Sequence, residues 1–373
     1  MSLLKKLFSS EKEKYQSPKV LLELRSPNCP ITAVIEQDNR VAYFYLWGDK
    51  ETDFGIKSCW VRNFIAAPVK IETNLIEKGI PPMLTNTFCR FPEGQTPLKS
   101  EDLEIIWLEE GDGAALLENG EILAIIPSWS GIGDFFGYAR DCNGQGEFCW
   151  ELTESNILTD RVKNAQEFWS LWTNKPNPFQ IRQPQLLNTY KEFLGDGDKY
   201  YAIDGNEWPP KGLFLKTGEF NDVFATVGLS LIPMPTVEMY SETPNDINRI
   251  ELGLILKSGQ KESELNELAN WISGQADIPW TRMTWMGNGH TITFMKLKNT
   301  KITSVILVKN LKVLPKLEFE DYRNSKVNML WMIPITENER DHVIKNGSET
   351  LIEKLNELGT EIFNIYRTEI LFN

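Results

Sequence analysis

Residues 173–184 divide this sequence in two. Asn174-Lys175-Pro176-Asn177-Pro178, with Pro184 close behind, interrupts the patterns on either side. Each proline fixes φ and removes a backbone donor, so prolines at this density favour an extended connector. The chain has 373 residues, and single cores usually close at roughly 100–200 residues. The break therefore predicts two domains, at 17–175 and 185–373, joined by a proline-rich linker over 176–184 and preceded by a flexible tail over 1–16.

Before the break, short apolar runs with alternating polarity predict strands at 19–25, 31–37, 40–47, 56–65, 103–108, 114–118 and 121–126. Turn residues separate them: Glu36-Gln37-Asp38-Asn39, Glu110-Gly111-Asp112-Gly113 and Asn119-Gly120, the last being a strong two-residue hairpin signal. Val162, Ala165, Phe168, Trp169 and Trp172 recur at helical spacing behind Thr159, which predicts a helix over 160–172 capped by that threonine. Beyond the break, strands are expected at 223–231, 249–256, 291–296, 303–308 and 327–335, with helices at 185–194, 262–272, 337–346 and 348–358. Residues 199–219, punctuated by Asp204-Gly205, Pro209-Pro210 and Gly218, read as loop-rich. Helices are too few and too uneven for a regular βαβ series, so the fold class is α+β: a strand-rich first half and a mixed second half.

Charge narrows the function. Asp and Glu number 52 against 39 Lys and Arg, a formal −13, which argues against gripping phosphate backbones, because that affinity comes from basic side chains displacing counterions. The excess is local. No Lys or Arg occurs between Lys99 and Arg140, where Glu101, Asp102, Glu104, Glu109, Glu110, Asp112, Glu118, Glu121 and Asp134 fall. Such a block reads either as a solvated hairpin edge or as a docking face for a basic partner. Glu109, Glu110 and Asp112 are its partner-binding candidates.

Catalytic and metal chemistry find little material. His290 and His342 are the two histidines, so a His-rich metal site is excluded and any His-based triad must use one of them. The five cysteines, Cys29, Cys59, Cys89, Cys142 and Cys149, contain no CxxC pair and read as reduced, buried thiols of a cytoplasmic protein. Gly131-Ile132-Gly133 and Gly287-Asn288-Gly289 lack the residues that would make either a phosphate loop. Asp196-Gly197-Asp198 lacks the later ligands of a calcium loop. No cofactor or metal is expected. No run reaches the roughly 18 apolar residues of a membrane span, and the apolar run at 1–8 is too short for a signal peptide.

Aromatic residues are the remaining signal. The chain has 12 tryptophans; Trp271, Trp280, Trp285 and Trp331 lie in the second half. Trp is a core residue by default and also the type most enriched at interface hot spots. The connector 278–286, Ile-Pro-Trp-Thr-Arg-Met-Thr-Trp-Met, suits a partner-binding groove.

The second half resembles a known family. Thr226-Val227-Gly228-Leu229-Ser230, then Arg249-Ile250-Glu251-Leu252-Gly253-Leu254, then the helix 264–272 ending Trp271-Ile272 form the first part of the match. It continues through Gly287-Asn288-Gly289-His290-Thr291-Ile292, the strand 327–335 ending Pro334-Ile335, Thr336-Glu337-Asn338-Glu339 and 347–352. This order is similar to the Suppressor of Fused (SUFU) domain over about residues 185–360; the first half matches no family. The resemblance implies a non-enzymatic binding domain. Eukaryotic members restrain a transcription factor, and bacterial members act largely as immunity proteins against polymorphic toxins, the type this chain looks like. In the eukaryotic domain a partner peptide lies near an aromatic residue on the helix and an acid in the following turn. These positions fall on Trp271 and on the turn Asn288, Gly289 and His290, which lacks the acid.

The expectation is thus a cytoplasmic binding protein that neutralises a toxin with a basic face by occluding its surface, without nucleic acid or membrane contact. Its candidate contacts are Trp271, Trp280, Trp285, Asn288, His290, Glu109, Glu110 and Asp112. Two alternatives stay open: a regulatory scaffold that binds a cellular peptide by strand addition beside Trp271, and a hydrolase in the first half.

Overall fold

A computed structural model describes residues 17–372; the tail expected over 1–16 lies outside the described residues. The chain forms two compact units, with the boundary between Ser170 and Leu171.

The first unit is built from two sheets. Strands β1 (Lys19–Arg25), β2 (Ile31–Gln37), β3 (Val41–Gly48) and β4 (Ile56–Asn63) pair antiparallel in chain order. After the short helix α1 (Thr73–Ile76) come β5 (Leu103–Trp107), β6 (Ala114–Glu118), β7 (Glu121–Ile126), β8 (Tyr138–Ala139) and β9 (Trp150–Glu151), again in order, with β8 and β9 parallel. The expected strand positions match these strands closely, although their burial does not alternate strictly: β1 has no buried residue, whereas the first four residues of β6 are all buried. Asn119 and Gly120 both hold positive φ, 52° and 82°, as a tight hairpin turn whose twist matches its strands requires. Helix α2 (Ile157–Leu171) buries Leu158, Val162, Ala165 and Phe168; Leu158 and Val162 pack with Ala115, Leu117 and Ile125. It starts before the expected cap. Asn156 Oδ1 accepts from Leu158 N at 3.0 Å, so Asn156 satisfies the first-turn donor that Thr159 was expected to take.

The second unit centres on a seven-stranded sheet of order β10-β11-β12-β13-β16-β15-β14. Its strands are β10 (Lys199–Ala202), β11 (Gly212–Lys216), β12 (Asn221–Val227), β13 (Arg249–Lys257), β14 (Thr291–Thr293), β15 (Ile302–Val308) and β16 (Val327–Thr336). The central β13–β16 pair is parallel; the other pairs are antiparallel. All ten residues of β16 are buried, as expected of a strand covered on both faces. On one face Trp331, Ile333 and Ile335 join Phe214, Val227 and Ile306 in a core closed by Leu186 and Tyr190 of α3 (Pro178–Leu194) and by two residues, Leu351 and Leu355, of the last helix. The remaining helices are α4 (Glu262–Ala276), α5 (Ile278–Thr281), α6 (Glu337–Asn346) and α7 (Glu349–Leu358), the last of which carries that leucine pair.

Three expectations need correction. The stretch expected as an extended linker over 176–184 is helical from Pro178. Asn177 and Gln180 form a reciprocal capping box and Pro178 occupies the first turn, where its missing N–H costs nothing. Pro184 sits inside the helix at the expense of one backbone bond, held there by the burial of Leu186 and Tyr190 on the sheet. The loop expected over 199–219 contains the β10–β11 hairpin. The strand expected over 223–231 ends at Val227, because Gly228 turns the chain at φ 95° into a 3-10 turn at Leu229–Leu231.

Candidate functional site

The segments 226–230 and 249–254 of the family resemblance meet in a buried clamp. Glu251 is fully buried on β13. Its Oε1 accepts from Gly228 N (3.1 Å), Ser230 N (3.0 Å) and Ser230 Oγ (2.7 Å), and its Oε2 accepts from Thr226 Oγ1 (2.6 Å). Burial nevertheless pushes its carboxyl up to about 7, the four hydrogen bonds opposing only part of the lost hydration. This clamp fixes the end of β12 and is structural.

The aromatic candidates separate by burial. Trp280, on α5, is 6% exposed, and its indole N–H donates to Pro233 O at 3.0 Å. It anchors the connector to the core and is no contact residue, which corrects its assignment as a partner-binding candidate. Trp271, on α4, is half-buried and meets Phe294 edge-on at 4.6 Å between ring centroids, just past β14. Trp285 is half-buried and lies between Tyr240, stacked at 6.2 Å, and His290, edge-on at 4.5 Å. Its ring packs over Gly287, where an added Cβ would come within 2.3 Å of it. Tyr240 itself is 67% exposed.

The turn beneath this cluster is tied to β15. Asn288 Oδ1 accepts from Lys309 N at 2.8 Å, Gly289 N donates to Leu307 O at 2.7 Å, and Leu307 N donates to His290 O at 2.8 Å. Asn288 therefore spends its side-chain oxygen on the turn. Burial lowers the His290 imidazole below its ordinary value, with a hydrogen bond to the Trp285 backbone opposing it. Tyr240, Trp285 and His290 thus form a pre-positioned aromatic surface. Sequence reading missed Tyr240, which follows the short 3-10 turn Val237–Met239 and belongs to no periodic pattern.

The acidic candidates lie in the first unit and do not form an open acidic face. Asp112 is 2% exposed. Glu110 pairs with Arg161 at 3.1 Å and its side chain is 13% exposed. Asn28 Nδ2 donates to the Glu109 backbone carbonyl at 3.2 Å, and Ser26 Oγ donates to Gly111 O at 2.7 Å, which holds the 109–112 turn against the unit. Elsewhere in the block, Glu118 pairs with Arg62 at 2.7 Å and Glu121 with Arg140 at 3.2 Å. Three of the nine carboxylates, Glu110, Glu118 and Glu121, thus pair with arginines outside the block, and Asp112, expected as a docking residue, is buried.

The five cysteines are free thiols, all buried. Among the described residues no group of three or more His, Cys, Asp or Glu side chains is placed to hold a metal ion, and no helix is long and apolar enough to cross a membrane.

Comparison with known proteins gives one family match. Residues 215–368 match the family model described as Suppressor of fused protein (SUFU), a span that takes in the Glu251 clamp and the aromatic surface. Among solved structures, a chain of the Sufu–Fu complex is similar at 13% identity and a TM-score of 0.37, covering 51% of this chain and 91% of that one. Drosophila Suppressor of Fused is similar at 11% identity and a TM-score of 0.36, covering 50% of this chain and 49% of that one. No curated protein matches the sequence. Residues 215–368, in the second unit, are therefore similar to the Suppressor of fused (SUFU) family.

Proposed function

We propose that this protein is a non-enzymatic binding protein whose second unit contacts a protein partner through Tyr240, Trp285 and His290. Domains of this family serve protein-binding, regulatory roles. The observation that carries the reading is the placement of Trp285. A large ring is held half-buried between an exposed tyrosine and a histidine, on a turn tied to the sheet, so its rotamer is fixed before any partner arrives. Rigid, partly exposed aromatics of this kind dominate interface energetics.

The net charge of −13 supports a partner with a basic face, and the family resemblance supports a toxin as that partner. In this reading the protein is a bacterial immunity protein and its partner is a toxin domain with a basic face, neutralised by surface occlusion. A stable complex of this sort buries on the order of 1,200–2,000 Å². Co-expression with the toxin encoded beside this gene is expected to protect the host cell and to yield a co-purifying complex. Toxicity without protection, and with no complex, sinks the immunity reading.

A second reading has its own observation. Strand β14 ends the seven-stranded sheet, paired with β15 on one side only, and Phe294 just beyond it meets Trp271. An extended peptide of a regulated partner adds to that edge by main-chain hydrogen bonds, with a side chain resting beside Trp271. A Trp271→Ala protein that folds and keeps its partner argues against this mode.

A further inference from the structure

We infer that the exposed end of the β1–β4 sheet around Trp47, in the first unit, is a docking face for a lysine- and arginine-rich segment of the protein partner. This inference rests on the reading of that partner as basic, and it moves the acidic contact from the 99–140 block to a different surface.

The sheet register sets the face. Glu23, Val34, Tyr45 and Ser58 form one cross-strand row; Arg25, Thr32, Trp47 and Ile56 form the next; Val20, Glu36, Tyr43 and Trp60 form the row on the other side. Side chains two residues apart on a strand share a face, so β3 carries an aromatic ladder down its centre. Tyr43 stacks on Tyr45 with centroids 5.8 Å apart, and Tyr45 meets Trp47 edge-on at 6.2 Å. The ladder runs outward: Tyr43 is buried with its hydroxyl on Pro82 O, Tyr45 is half-buried, and Trp47 is 41% exposed beside Ile56 at 69%.

Carboxylates flank the ladder. Glu36 lies across from Tyr43 and Glu23 one row over, and neither they nor Glu51 make an ion pair or hydrogen bond among the described residues. Glu36 is half-buried, and desolvation raises its carboxyl with no cation to offset the cost. Asp49, by contrast, is taken by Arg25 through two bonds of 2.6 Å. An open cleft of about 360 Å³ lies at the Trp47 end, lined by Glu23, Thr32, Trp47, Asp49, Lys50 and Glu51.

The exposed Trp47 ring, flanked by the Glu23 and Glu51 carboxylates, suits an organic cation. The ring face attracts ammonium or guanidinium within about 6 Å, and the carboxylates complete the charge. Phosphate-bearing ligands would meet repulsion from the same groups. Glu23, Trp47 and Glu51 all line this cleft, so neighbouring basic side chains of one segment meet them together.

The test has two arms. First, a nona-arginine peptide is titrated by calorimetry into the full chain and into Trp47→Ala and Glu23→Lys/Glu51→Lys variants, all checked by circular dichroism. The expected result is a salt-dependent affinity that falls at least tenfold in both variants and is unchanged in Trp285→Ala. Equal binding by wild type and variants, or none at low salt, overturns the inference. Second, the same variants are titrated with the toxin. If the toxin binds them as tightly as wild type, the docking face is wrong while the immunity reading stands. If the toxin binds none of the proteins, including wild type, the immunity reading falls and the peptide arm alone decides the face.

Discussion

Arg249 and Glu251, two residues apart on β13, grip opposite polarities of one turn. The Arg249 guanidinium donates to Ser230 O (3.1 Å) and Leu231 O (2.7 Å), while the Glu251 carboxylate accepts from the Gly228 and Ser230 amides. Both side chains are buried, so the backbone groups that the left-handed Gly228 leaves outside the sheet are satisfied by protein rather than water. Arg249 and Glu251 lie in one segment of the family resemblance, 249–254, and the turn they grip lies in another, 226–230.

The clamp makes stability depend on pH in a defined direction. The folded state raises the Glu251 carboxyl from 4.5 to about 7, so between those values the folded chain binds more protons than the unfolded chain. Stability from this group is full below 4.5 and is lost as pH rises through about 7, by about 3 kcal/mol in total. Urea titrations from pH 4.5 to 8 are expected to show this decline in wild type and a flatter profile in Glu251→Gln. A wild-type profile that rises through the window contradicts the assignment.

A second buried pair holds the end of the chain to the sheet. The Arg367 guanidinium donates to both Glu339 oxygens, at 2.7 and 2.5 Å, and to Pro334 O at 3.0 Å; Ile370 N also donates to Glu339. Arg367→Ala leaves the Glu339 carboxylate buried without its cation and is expected to cost about 3–5 kcal/mol. Chemical denaturation checks this. A loss under about 1 kcal/mol would show that the pair is not needed.

Trp280 and Trp285 are predicted to behave oppositely. Trp280→Ala empties a core site and loses the bond to Pro233, and about 3–5 kcal/mol of stability is expected to go with it. Trp285→Ala removes a half-buried ring beside an exposed tyrosine, so stability is expected to change by less than about 1 kcal/mol. Melting curves separate the two. Equal destabilisation would place Trp285 in the core.

The His290 ring is predicted to titrate below 6.5, because burial disfavours its charged form. Stability from the neutral ring is present above 6.5 and is lost as pH falls toward the lowered value. NMR titration of the imidazole protons reads this directly, and a midpoint above 6.5 would contradict it.

The sequence carried the strands of the first unit because short apolar runs are separated by turn residues such as Asn119-Gly120. It hid β10 and β11, whose short apolar runs Tyr200-Tyr201 and Leu213-Phe214-Leu215 flank turn residues that dominate the local reading. It hid the reach of α3, where a capping box and two core contacts outweigh Pro184. In the candidate site, residue type pointed to tryptophans but could not sort them, since the burial of Trp280 and the partial exposure of Trp285 are set by distant packing. The pairing within the acidic block was hidden for a related reason: Arg62, Arg140 and Arg161, the partners of Glu118, Glu121 and Glu110, lie outside the block in sequence. One signal for the Glu251 clamp was present, a glutamate at an inward position of an otherwise apolar strand run.

The most direct test of the central claim is the affinity of the Trp285→Ala protein for the proposed partner, a toxin domain with a basic face, measured by calorimetry against wild type. The account predicts a loss of about 2 kcal/mol or more, roughly thirtyfold in Kd, with the fold intact. A folded Trp285→Ala protein that binds the toxin as tightly as wild type would show that the Tyr240–Trp285–His290 surface is not the contact.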